Sequence, residues 1–81
     1  MNIEVQMFAR AKDLAGSEAV EFSLAEGATV GDLRLELAAR WPELSPILPH
    51  CMIALDMEYA TDGTPIRSGA KIACIPPVSG G

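Results

Sequence analysis

A chain of 81 residues is one domain, and a domain of that size buries roughly 60–65% of the surface its unfolded chain exposes, which leaves little room for an enclosed active site. Its hydrophobic fraction of 49% excludes a disordered chain. The net charge of -5 opposes binding to phosphate backbones, so nucleic acid is not an expected partner, whereas a protein with a basic docking surface is a suitable one.

Residues 2–8 read Asn-Ile-Glu-Val-Gln-Met-Phe. Ile3, Val5 and Met7 alternate with polar neighbours, which predicts a half-buried strand. Residues 9–17 carry charges and end in Gly16-Ser17, which predicts a loop. Val20, Phe22 and Leu24 alternate with Glu21 and Ser23, which predicts a second strand paired to the first as a hairpin. Thr29 is a good helix N-cap, and Asp32 three residues later completes a weak capping box. Val30, Leu33, Leu37 and Trp41 follow at helical spacing, with Arg34, Glu36 and Arg40 on the wetter side. The pattern predicts a helix over 30–41 that Pro42 ends.

Three prolines (Pro42, Pro46, Pro49) make residues 42–51 a connection with room for one short helical turn. Residues 52–56 read as a third strand. Asp62-Gly63, Pro65 and Ser68-Gly69 are breaks, with Tyr59-Ala60 and Ile66 as candidates for a short edge strand. Residues 70–75 read as the last strand, stopped by Pro76-Pro77, because proline lacks the ladder donor. The order β-β-α-β-(β)-β predicts an α+β domain: a mixed sheet of four to five strands with one main helix on one face. The layout resembles the ubiquitin-like β-grasp. The domain is expected over 1–75, followed by an extended, flexible tail over 76–81.

No apolar run approaches the ~20 residues of a membrane span. Met1-Asn2-Ile3-Glu4 lacks a basic stretch followed by an apolar one, so a cytoplasmic location with reduced thiols is expected. Cys51, Cys74 and His50 are too few for a structural metal site, which usually takes four ligands, so none is expected. Cys74 sits among apolar strand residues and reads as a packed core thiol. His50 and Cys51 are neighbours that point to opposite sides, which argues against a catalytic pair.

The tail Pro76-Pro77-Val78-Ser79-Gly80-Gly81 is the unusual feature. Pro-Pro favours an extended conformation, and six extended residues reach about 20 Å. Gly80 and Gly81 have no side chains, so a narrow channel in another protein accepts them. The reactive group is then the Gly81 carboxylate, which becomes an acylating group only after activation. The alternative is an ordinary glycine-rich chain end.

Four pieces of the chain together resemble the small subunit of molybdopterin synthase. They are Phe8-Ala9-Arg10 leading to Asp13-Leu14-Ala15-Gly16, the helix opening Thr29-Val30-Gly31-Asp32-Leu33, Thr64-Pro65-Ile66 to Ser68-Gly69, and Ile75 to Gly81. The Pro-Pro-Val-Ser-Gly-Gly ending is the most specific. The resemblance implies a sulfur carrier with no bound cofactor. It implies that an adenylating activating enzyme consumes ATP to form an acyl-adenylate at Gly81, and that a sulfurtransferase system converts this to a thiocarboxylate. Pro76, Pro77, Val78, Ser79 and Gly80 would carry Gly81 into the large subunit, where its sulfur passes to cyclic pyranopterin monophosphate. The family's complex is a heterotetramer, with two small subunits at opposite ends of a large-subunit dimer. Asp56 stands where the resemblance leads one to expect an asparagine.

Strand alternation adds a docking surface. With Ile3, Val5, Met7, Ile53, Leu55, Ile72 and Cys74 facing the helix, the outer face carries Phe8, Met52, Ala54, Ala73 and Ile75. A solvated sheet face is polar in alternation, so an apolar one beside the tail is expected to dock a partner. A register slip of one residue would exchange the two faces. Three other functions share parts of the pattern: a sulfur carrier for thiazole or cysteine synthesis, a ubiquitin-like modifier joined to lysines through Gly81, and a structural interaction domain. The thiazole carriers lack Pro-Pro-Val-Ser.

Overall fold

The computed structural model describes residues 1–77. Its elements are β1 (Asn2–Met7), α1 (Ala9–Ala15), β2 (Ala19–Ser23), α2 (Val30–Arg40), β3 (Met52–Leu55), β4 (Glu58–Ala60) and β5 (Ile72–Ile75). Two 3-10 turns, Pro42–Leu44 and Leu48–His50, lie between α2 and β3. The strands form one sheet in the order β2-β1-β5-β3-β4. β1 and β5 are parallel neighbours, and all other pairs are antiparallel. This is the mixed sheet of the ubiquitin-like β-grasp, with β5 at its centre.

The strand periodicity has the expected consequence. Ile3, Val5 and Met7 of β1, Ile53 of β3 and Ile72 and Cys74 of β5 are buried on one face. Against them pack Val30, Leu33 and Leu37 of α2, each fully buried. Their spacing of three and four places all three on one side of the helix. The predicted cap is present: Thr29 Oγ1 accepts from the Asp32 N–H at 3.2 Å, and the Asp32 carboxylate accepts from the Thr29 N–H at 2.9 Å. The next two amides of the first turn donate to another segment, Val30 to the Thr64 carbonyl and Gly31 to that of Asp62, at 3.0 and 2.9 Å. Gly31 is needed there, since a Cβ would stand 3.3 Å from the Asp62 carbonyl oxygen. Trp41 leaves the helix before Pro42 and stacks at 5.8 Å, tilted, on Phe22 of β2.

The segment expected to be a loop over 9–17 is a correction. Residues 9–15 form a short second helix, so among the described residues the main helix has a smaller companion. Only Ala11 of α1 is buried, and Gly16 closes it at φ 76°, its N–H bonded to the Lys12 carbonyl at 2.9 Å. Too small a stripe faces the core for periodicity to register. β5 is also two residues shorter at its start than expected, because Ser68-Gly69 turns and Lys71 instead ties back to Asp56. Ile66 is a buried core residue beside the isolated bridge Thr29–Pro65, not part of an edge strand. No helix among the described residues is long and apolar enough to cross a membrane.

Candidate functional site

Pro76 and Pro77, the described start of the tail, continue directly from the central strand. After Ile75, Pro76 is buried and Pro77 is exposed. Pro76 therefore packs on the body of the domain and fixes where the chain leaves it. Val78, Ser79, Gly80 and Gly81 lie outside the described residues. Pro76 and Pro77 line a groove of about 600 Å³ with Ala9 and Arg10 of α1 and with Ile47 and His50 of the connection. The backbone reaches this place through a costly conformation at Ala9, whose φ of 51° lies in the left-handed region, unfavourable by roughly 1–2 kcal/mol for a residue with a Cβ.

Beside the tail base lies the outer face. Met52 is opposite Ile75 and Ala54 is opposite Ala73. The Phe8 N–H donates to the Cys74 carbonyl at 3.2 Å, which seats Phe8 next to Ile75. The fold thus brings all five predicted docking residues together. Phe8 and Met52 are 48% and 45% exposed, while Ala73 and Ile75 are half-buried. Ala54 is on this face but buried, because Ala73 and Tyr59 flank it on either side. Tyr59, 68% exposed, belongs to the same surface and was not predicted. Its place depends on the β3–β4 register, in which Ala54 faces Tyr59.

That register is set by a two-residue turn. Asp56 and Met57 both have positive φ, 50° and 71°, as a tight hairpin turn requires. Asparagine is the commoner residue in that conformation, and Asp56 has a second task. Its carboxylate accepts from the Lys71 N–H at 3.0 Å and pairs with Arg67 at 2.5 Å. The Lys71 amide first, and the Arg67 guanidinium after it, hold the Asp56 carboxyl below the usual carboxylate range. The hairpin is thereby tied to the segment that feeds β5 and the tail.

The remaining reactive groups are structural. Cys51 and Cys74 are free and buried. Burial pushes the Cys74 thiol up to about 12, and burial raises Cys51 too, against the opposing effects of the Cys74 thiol and Arg34. Thiols held protonated in this way are poor nucleophiles. Arg34 joins α2 to its surroundings through Asp62 at 2.7 Å and the Leu48 carbonyl. Among the described residues no three His, Cys, Asp or Glu side chains cluster as metal ligands.

Known proteins share this architecture. The family model described as the ThiS family matches residues 5–81. A molybdopterin synthase sulfur carrier subunit of Chlamydomonas reinhardtii is 36% identical, with 100% of both chains covered. The crystal structure of the small archaeal modifier protein SAMP1 from Haloferax volcanii superimposes with a TM-score of 0.88 at 31% identity, covering 100% of both chains. In the protein–protein complex of subunits 1 and 2 of the molybdopterin-converting factor from Helicobacter pylori, the matching chain gives a TM-score of 0.71 at 29% identity, again over 100% of both.

Proposed function

Since this chain belongs to the ThiS family, and within it to the molybdopterin synthase sulfur carrier subunits, we propose that its Gly81 carboxylate is the group that carries sulfur. A carboxylate oxygen of Gly81 attacks the α-phosphorus of ATP in the activating enzyme, and pyrophosphate leaves. A persulfide on a sulfurtransferase then attacks the acyl carbon and AMP leaves; a thiol next attacks the inner sulfur of the resulting acyl disulfide, forming a disulfide with the sulfurtransferase and releasing the outer sulfur on Gly81. The Gly81 thiocarboxylate that results enters the large subunit of molybdopterin synthase and passes its sulfur to cyclic pyranopterin monophosphate in the cytosol. No described side chain of this chain takes part in bond making, so the large subunit supplies the catalytic groups and this chain supplies the sulfur and the docking surface. Docking through the outer face fits a heterotetramer with one carrier at each end of a large-subunit dimer.

The observation that supports the reading is the placement of Pro76 and Pro77, the two described residues of the Pro-Pro-Val-Ser-Gly-Gly segment. They follow directly from the central strand, with Pro76 buried, beside an apolar half of the sheet. Two consecutive proline residues favour an extended backbone at that base.

Intact mass tests it. With ATP, the activating enzyme and a sulfur source, the protein is expected to gain about 16 Da, one oxygen exchanged for one sulfur. Removing Gly81 is expected to abolish the gain and leave the fold intact. The likeness to SAMP1 favours a second reading, in which Gly81 is joined to lysines of other proteins; lysine conjugates without the mass gain would replace the first reading with that one.

A further inference from the structure

Four of the six basic residues are neutralised inside the chain: Lys12 by Glu18, Arg34 by Asp62, Arg40 by Glu36 and Arg67 by Asp56. Arg10 and Lys71 have no carboxylate partner among the described residues. The two sit in different surroundings. Lys71 borders a polar cleft with Glu4 and Gln6. Arg10 borders the groove at the base of the tail, whose other walls are mostly apolar: Ala9, Ile47, Pro76 and Pro77, with His50 beside them. The strained φ of Ala9 starts α1 at this point and so sets Arg10 there. On a chain of net charge -5, the Arg10 guanidinium beside an apolar groove is a local positive charge with no carboxylate partner among the described residues. Ile75 lines both this groove and the outer face, so the two surfaces are continuous.

We infer that this groove is a second docking element for the protein that takes the tail. Its occupant is an apolar side chain of the large subunit, with a carboxylate beside it that pairs with Arg10, at the rim of the channel the tail enters. The inference rests on the sulfur-carrier reading. A carboxylate fits better than a phosphate handled at Gly81, because Gly81 is four residues past Pro77, about 13 Å along an extended chain. A guanidinium also matches a carboxylate with two parallel hydrogen bonds. The groove therefore fixes orientation at the base of the tail while the outer face supplies apolar area.

Calorimetric titration of the full chain into the large subunit of the same organism, at low and high salt, tests this. Arg10→Glu is expected to weaken binding roughly tenfold or more and to flatten its salt dependence. Arg40→Glu makes the same change in net charge on the helical side and is expected to cost less than about twofold. Trp41 emission confirms that both variants are folded. Equal losses in the two variants, or wild-type binding by Arg10→Glu, would overturn the groove as a docking element. Failure of the wild-type chain to bind the large subunit would overturn the partner itself, so the two ideas fail separately.

Discussion

The β2–β1 side of the outer sheet face is polar, with Glu4, Gln6 and Glu21 alternating against buried Val5, Met7 and Val20. The β5–β3–β4 side presents Met52, Tyr59, Ala73 and Ile75, with Phe8 at its end. Both sides belong to one sheet, share one core and have the same geometry. The polar side follows the rule for a sheet facing water. The apolar side departs from it, and the departure lies on the strand that leads into the tail, on the strands paired beyond it, and at Phe8 just after β1. Core packing does not require this, since α2 covers the other face. A partner that covers one side and not the other, as proposed for the large subunit, would account for the difference.

Charge placed on the apolar side is the strongest way to break that comparison. Phe8→Asp with Met52→Asp is expected to weaken large-subunit binding roughly 100-fold, about 2.8 kcal/mol, by calorimetry. Tyr59→Ala, which removes the residue contributed by the β3–β4 register, is expected to cost roughly tenfold. On the polar side, Gln6→Ala and Glu21→Gln are expected to stay within about twofold. Comparable losses on both sides would dissolve the distinction.

A smaller effect sharpens it. Asp56 stabilises the hairpin that carries Tyr59, and its carboxyl is held below its ordinary range in the folded state. For such a group the stabilisation is present above the unfolded-state value and is lost as pH falls through the lower folded-state value. Thermal unfolding followed by circular dichroism is therefore expected to show a modest loss below about pH 4, and Asp56→Asn is expected to remove that portion of the acid dependence while keeping the turn.

Much of this was legible in the sequence because it is periodic or local. Ile3-Val5-Met7, Ile53 and Ile72-Cys74 gave the strands and their inner face; Thr29 and Asp32 gave the start of α2. The tail stands out in the sequence because Pro-Pro restricts the backbone and Gly-Gly carries no side chains, whatever surrounds them; Val78 to Gly81 lie outside the described residues. Helix α1 was missed because Ala11 alone is buried, which leaves no stripe to detect. The β3–β4 turn was missed because Asp56-Met57 adopts positive φ without the usual glycine. Tyr59 and the groove around Arg10 are products of pairing and packing between distant segments, and no local pattern marks them. The burial of Pro76 belongs to the same class: a residue read as the first of a free tail packs on the body.

The most direct measurement starts from protein thiocarboxylated at Gly81 and mixes it with the large subunit and cyclic pyranopterin monophosphate in a single turnover. The carrier's mass is expected to fall back by about 16 Da as the dithiolene forms, one sulfur from each of two carriers. A dithiolene that forms while the thiocarboxylate persists, or a thiocarboxylate that ends up on lysines instead, would contradict it.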